Sequence, residues 1–306
     1  VLAFETGQFA TLWKVIALEL GLDVMFEQGD WRSAVDPDRL ETILKEDTSA
    51  NIKAVCIVHN ETSTAVTSDI GAIRQAMDAA NHPALLLVDT ISSLASLPYH
   101  HKEWGVDVTV GGSQKGLLLP PGLGLNVVSN KARKAAKSAS LPKAYWNWEA
   151  IIDANGNGFF PYTPPTNLLY GLAEAQKLLF DEGMTQVYAR HARYGAATRA
   201  AAQAWGLETV CRQPENHSNS LTALLLPDGV DADEVRRLAL EKFNISLGTG
   251  LGKLSKKAFR IGHMGDFNDL MLTGTLTGVE MALNLSGVEF QKGGVAVAMK
   301  YLQENH

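Results

Sequence analysis

Three apolar runs of strand length, each passing straight into a cluster of polar residues, constrain what this chain can fold into more than any other feature. Ala54–Val58 leads into His59-Asn60-Glu61-Thr62-Ser63-Thr64, Leu85–Val88 ends in Asp89-Thr90 with Ser92 and Ser93 beyond, and Val106–Val110 enters Gly111-Gly112-Ser113-Gln114-Lys115-Gly116. Runs without polar alternation belong to strands covered on both faces. Helical periodicity fills the intervals. Gly7–Leu20 repeats apolar residues at Phe9, Leu12, Trp13, Ile16 and Leu20 and closes at Gly21, Asp36-Pro37 opens a helix over 38–45, and 70–80 reads as another. With Val1–Phe4 and Leu22–Phe26 as further strands, the alternation predicts an α/β fold: a mostly parallel sheet with helices on both faces. Val1 has no initiator Met before it, as if the chain were entered inside such a domain.

Ligands of open α/β sheets bind outside the carboxyl ends of the strands, so Thr62, Asp89 and Lys115 are expected to share one crevice. An acid at the tip of a buried strand and a lysine among glycines are expensive placements unless something neutralises them. A cofactor with a pyridinium nitrogen for Asp89 and an aldehyde for Lys115 would do so, which is how pyridoxal phosphate is held. A cap at Asp89 and a solvated loop at Lys115 explain the same layout, and both readings stay open on layout alone.

Composition narrows the partners. The chain has 27 Lys and Arg against 33 Asp and Glu, a net charge of −6, with no basic footprint for nucleic acid or anionic membrane. Its apolar runs fall well short of the roughly 20 residues that span a bilayer. The first ten residues lack a basic leader and contain Glu5, unlike a signal peptide. The only cysteines, Cys56 and Cys211, lie in or beside apolar segments, which suits packed thiols and a cytoplasmic setting, and no Cys or His cluster has metal-site spacing.

Five ordered motifs then carry a family resemblance. They are Val58-His59-Asn60-Glu61-Thr62-Ser63-Thr64, Leu87-Val88-Asp89-Thr90-Ile91-Ser92-Ser93, Gly112-Ser113-Gln114-Lys115-Gly116 followed by Pro120-Pro121-Gly122, Phe160-Pro161-Tyr162-Thr163-Pro164-Pro165, and Phe259-Arg260-Ile261-Gly262-His263. Over essentially the whole chain they resemble the serine–glyoxylate and alanine–glyoxylate aminotransferases, which are class V, fold-type I pyridoxal phosphate enzymes. The likeness leans toward the bacterial serine–glyoxylate branch through His-Asn-Glu-Thr, Tyr145-Trp146-Asn147-Trp148-Glu149 and Arg-Ile-Gly-His.

The resemblance implies that Lys115 is the Schiff-base lysine and Asp89 the partner of the pyridinium nitrogen. It implies Thr62 beside the ring hydroxyl, Gln114 at the phosphate, and Thr163 at the phosphate of a neighbouring subunit, hence a homodimer with shared sites. Arg260 would grip the substrate α-carboxylate, a bidentate task suited to guanidinium. Ser113 either touches phosphate or caps a turn. Relatives carry a phosphate-holding glycine-rich loop and helix, and an aromatic residue stacked on the cofactor ring, before the point where this numbering begins. Without them the phosphate site is expected to be incomplete. Ala65 stands where relatives have glycine, which requires that its φ not be positive.

The second half reads as a small α+β domain over residues 184–306, following a cofactor domain over 1–183. A long helix spans 184–205, strands fall at 221–226 and 258–261, and helices at 231–243 and 266–283. Gly248-x-Gly250-x-Gly252 lacks a following helix and is expected to be a mobile loop. Lys131, Lys134 and Lys137 read as a solvated helix face, and His100-His101 as a wet turn.

Two functions compete: transamination of an amino acid and a 2-oxo acid, or a non-catalytic fragment that keeps the fold alone. Cysteine desulfuration would need an exposed reactive thiol, for which neither cysteine is placed. Within the first, serine is the expected donor to glyoxylate, with alanine or aspartate as alternatives. No second arginine is identifiable for an aspartate side chain, while His59, Tyr162 and His263 are candidates to meet a serine hydroxyl.

Overall fold

The computed structural model describes residues 1–306. Its first half runs through β1 (Leu2–Phe4), α1 (Gln8–Glu19), β2 (Met25–Glu27), α2 (Pro37–Glu46), β3 (Ala54–Val58), the hairpin β4 (Asn60–Glu61) and β5 (Val66–Thr67), α3 (Ile70–Ala79), β6 (Leu85–Asp89), β7 (Val108–Gly112) and β8 (Gly124–Val128). Six of these strands form one sheet in the order β2-β1-β3-β6-β7-β8, parallel except for β8, which runs antiparallel to β7. The fold class is α/β, as the alternation predicts.

Two strands begin later than the sequence suggests, for the same reason. Leu22 still bonds back to Ala17 O at 3.0 Å as α1 closes, and Val106 bonds to His101 O at 3.0 Å as a turn ends. Each backbone is claimed locally before it can join the ladder.

The strand order reverses beside β1, where the chain first moves outward to β2 and then back to β3. Right-handed crossovers in opposite directions put α1 on one face and α2 with α3 on the other. The latter face holds a core of Leu40, Ile43, Leu44, Ile70, Ile73 and Met77 against Val55, Leu86 and Val88. Asp36 and Asp69 accept the amides of Asp38 and Ala72 and so start α2 and α3.

The chain continues through α4 (Asn130–Ser138), α5 (Trp148–Gly156), α6 (Thr166–Glu182), α7 (Met184–Trp205), β9 (Leu221–Leu225), α8 (Ala232–Phe243), β10 (Gly248–Thr249), β11 (Ala258–Gly262), α9 (Asp269–Ser286) and α10 (Gly294–Glu304). An antiparallel sheet β10-β11-β9 packs with α7, α8, α9 and α10 around Trp205, Phe259, Leu224 and Leu272. No helix is long and apolar enough to cross a membrane. The three lysines of α4 are exposed, although Lys131 also donates to Ala84 O at 2.8 Å. His101 is half-buried with Nδ1 2.7 Å from Thr109 Oγ1, so that turn is less wet than expected.

The glycine triplet is a correction. Gly248 and Thr249 pair with Arg260 and Phe259 as an edge strand, and a Cβ on Gly250 would stand 2.1 Å from Leu254 O. Close backbone approach, not mobility, explains these glycines. Ala65 is a second correction, because its φ is +58°. It is buried among Trp31, Leu221 and Ala223, and its carbonyl accepts Ser218 N at 3.0 Å, so surrounding packing holds it in the left-handed region. A β-branched residue there suffers both backbone strain and crowding. Ala65→Val is expected to lower the unfolding free energy by about 2 kcal/mol or more, and Ala65→Gly to stay within about 1 kcal/mol of the parent, by urea titration.

Candidate active site

The reversal beside β1 opens a crevice at the carboxyl ends of β1, β3, β6 and β7. Asp89 closes β6 in register with Val58 of β3 and Val110 of β7, so the residues that follow those strands surround it. Its carboxylate is buried. Oδ1 accepts the Ile91 amide at 2.8 Å and Oδ2 accepts the Trp13 indole N–H at 3.0 Å. Burial raises its pKa and these two donors partly oppose the rise.

Thr62 follows β4, and its Oγ1 donates to Ser92 Oγ at 2.7 Å. Ser92 donates in turn to Asn60 O at 2.8 Å, and Ser220, just before β9, donates to Ser92 O at 2.5 Å. This chain of hydroxyls ties the tips of β4 and β6 to the second sheet.

Lys115 stands half-buried after β7, with its pKa lowered first by burial and then by the charge of Arg260. Arg260 reaches across from β11. Its Nε donates to Thr249 O and its Nη1 to Thr62 O, both at 2.8 Å. Two of five guanidinium N–H groups are used, and no carboxylate lies in salt-bridge range, so a donor face remains open. Burial lowers its pKa while Glu61 acts in the opposite sense.

Glu61 is fully buried and caps α1. It accepts Phe9 N at 3.1 Å, Ala10 N at 3.0 Å, Ser63 N at 3.1 Å and Ser63 Oγ at 2.6 Å. Burial raises its pKa, but a carboxylate at a helix amino end is favoured by the free amides and the dipole.

A family model described as Aminotransferase class-V matches residues 1–259. A protein of Methylorubrum extorquens named serine–glyoxylate aminotransferase is 50% identical over 311 residues, covering 100% of this chain and 77% of the relative. An L-aspartate–glyoxylate aminotransferase of Paracoccus denitrificans is 41% identical and covers 99% and 77% respectively. The crystal structure of pyridoxamine–pyruvate aminotransferase from Mesorhizobium loti superposes with a TM-score of 0.91 at 28% identity, over 100% of this chain and 78% of that one.

The chain belongs to the class V aminotransferases.

Enzymes of this family depend on pyridoxal phosphate, and the crevice of this aminotransferase fits that group. Asp89 is a buried carboxylate without a cation, and Lys115 a half-buried amine without an anion. A ring N–H and an aldehyde would complete them. Gln114 is exposed and folds over Gly112, where an added Cβ would stand 3.0 Å from its Oε1. Ser113 caps the loop: its Oγ donates to Pro120 O at 2.8 Å and accepts Leu123 N at 3.1 Å. Thr163 lies exposed before α6, with no hydrogen bond to the residues above.

Two of the three hydroxyl-binding candidates are structural. His59 is buried, its Nδ1 2.9 Å from Ser93 Oγ and its ring tilted against Tyr99. His263 is buried between Asn219 O at 3.1 Å and Thr222 Oγ1 at 3.0 Å. Tyr162 is exposed and packs on Tyr145. Desolvation pushes Cys56, half-buried in β3, up to about 12 and the buried Cys211 to about 11, the opposite of what desulfuration chemistry needs.

Glu61 and Trp13 escaped the sequence reasoning as site residues. Trp13 carried only a helical spacing from Phe9, and Glu61 only its place in a motif.

Burial lowers His59 to about 4 and His263 to about 3, from 6.5 in the unfolded chain. The folded state binds fewer protons, so their stabilisation is complete above pH 6.5 and drains away as pH falls toward those values. At pH 5 each histidine is expected to have cost about 2 kcal/mol. Urea midpoints at pH 7 and pH 5 measure the loss, and His263→Gln should flatten its share of the slope.

Proposed function

We propose that this aminotransferase transfers the amino group of serine to glyoxylate, yielding hydroxypyruvate and glycine. The observation that carries the reading is Arg260: one guanidinium with an open donor face, held beside Lys115 by carbonyls of β10 and of the turn after β4. It binds the α-carboxylate shared by both substrates. Arg236 is the other arginine in electrostatic reach of Arg260, but it is committed to Asp233 at 2.6 Å and Leu247 O at 3.0 Å. That commitment leaves Arg236 unavailable to a donor with a second carboxylate. The 50% identity to a serine–glyoxylate aminotransferase, against 41% to an aspartate–glyoxylate one, supports the same choice.

The catalytic residues are Lys115 and Asp89. When bound, pyridoxal phosphate supplies a reactive aldehyde and an electron-accepting ring. Lys115 would hold it through Nζ, and the same Nζ, once free, would take the proton from the substrate Cα. Its lowered pKa makes the neutral amine more accessible. Asp89 would accept a hydrogen bond from the ring nitrogen and keep that nitrogen charged. Thr62 would meet the ring hydroxyl and Gln114 the phosphate, while Thr163 would serve the phosphate of a second copy.

That last role makes a homodimer the working unit. Exposed Tyr145, Trp146, Phe159 and Tyr170, together with Leu12, Val15 and Ile16 of α1, offer apolar surface for a second copy. Residues 1–183 form the cofactor domain and 184–306 the small domain that brings in Arg260. Two free cysteines suit the reducing cytoplasm.

Lys115→Ala is expected to abolish both the visible absorbance of Lys-bound cofactor and transamination, with the circular dichroism spectrum preserved. Asp89→Asn should retain the cofactor and slow turnover by orders of magnitude. Arg260→Lys should raise KM for serine and for glyoxylate by roughly 10- to 100-fold, the weight of a charge-assisted hydrogen bond. In a donor screen with glyoxylate, a higher kcat/KM for aspartate than for serine would overturn the assignment.

A further inference from the structure

Asp89 is gripped from two elements that sequence reasoning did not connect. The Ile91 amide comes from its own turn, while the Trp13 indole comes from the second turn of α1, 76 residues away in sequence. One donor sits on each oxygen, so rotation of the carboxylate breaks at least one of the bonds. Of about four lone-pair positions on a carboxylate, two remain to receive another donor. An indole N–H can only donate, so this bond favours the ionised acid. It acts where burial favours the neutral one. The helix that delivers it is itself anchored, because Glu61 accepts the Phe9 and Ala10 amides of its first turn. Trp13 is thus half-buried on a fixed element, aimed at the group on which the reaction depends.

We infer that Trp13 is a positioning residue for Asp89, fixing the orientation of the carboxylate and holding it ionised so that it can pair with the protonated ring nitrogen of the cofactor. The inference rests on the role given to Asp89 above. Titratable groups on the surrounding elements include Lys115, Arg260, the buried Glu61, Lys14 of α1, Cys56 of β3 and His59, whose amide bonds to Asp89 O at 3.0 Å. All of them are unchanged by substitution at position 13.

The test uses two replacements: Trp13→Phe, and benzothienylalanine at position 13, which keeps the bicyclic shape and carries sulfur in place of N–H. Equilibrium dialysis of pyridoxal phosphate against the Lys115→Ala protein, without and with each replacement, from pH 5 to pH 9 reads affinity without turnover. Both replacements are expected to weaken binding roughly tenfold at pH 7, the loss of one hydrogen bond to a charged group. Both should also move the acid-side midpoint of binding upward by about one pH unit. In the Lys115-containing enzyme, kcat should fall more than KM for serine rises. A benzothienylalanine protein with the affinity and pH profile of its parent overturns the inference, because shape alone would then suffice. Tighter binding in either variant also overturns it, since Trp13 would then compete with the cofactor. A Lys115→Ala protein that binds no pyridoxal phosphate at any pH overturns the reading of the site itself, and Trp13's role with it.

Discussion

Glu61 is a fully buried carboxyl group with no salt-bridge partner, and the shape of the crevice depends on the donors that satisfy it. It takes amides from the first turn of α1 and from Ser63, so one carboxylate fastens the helix after β1 to the turn after β4. Four donors and the helix dipole supply what water would have supplied. The consequences spread along both partners. The turn places Thr62, whose carbonyl anchors Arg260, and the helix places Trp13 against Asp89.

The second sheet is docked by the same kind of contact. Glu5, at the end of β1, is buried and accepts Trp31 Nε1 at 2.9 Å, Gly29 N at 3.3 Å and Lys253 Nζ at 2.5 Å. Burial pushes its pKa up, yet Lys253 and the two hydrogen bonds outweigh it and hold the acid below its usual range. Lys253 lies just beyond the edge strand that carries Thr249, so this ion pair secures the neighbourhood of the Thr249 carbonyl that orients Arg260. A Cβ on Gly252 would reach the Trp31 ring at 2.5 Å, which explains why glycine is placed at that junction. The site is therefore assembled from two sheets whose edges are clamped by buried, satisfied charges.

Much of this was legible along the chain. Continuous apolar runs marked β3, β6 and β7 because strands covered on both faces admit no polar alternation, and their polar tips located Thr62, Asp89 and Lys115. Asp36 and Asp231 before apolar periodicity marked the starts of α2 and α8, since a cap acts within two or three residues. Local chemistry misled where neighbours distant in sequence set the backbone. Ala65 holds a positive φ because Trp31, Leu221 and Ala223 pack around it, and the glycine triplet is pinned by β11. His59 and His263 looked available as polar residues, yet each is enclosed by partners from other segments.

By itself the sequence determined the fold class, the family and the strand ends where charge gathers, because these follow from periodicity and from motifs read over a few residues. Tertiary structure alone decided which polar groups meet. Trp13 and Asp89 are 76 positions apart, and Arg260 and Thr62 are 198. No spacing rule joins them. Their contacts arise from the reversal of strand order beside β1 and the docking of a second sheet, and hydrogen bonds of this kind are selected by burial: a donor or acceptor removed from water must find its partner wherever the packed chain has put it.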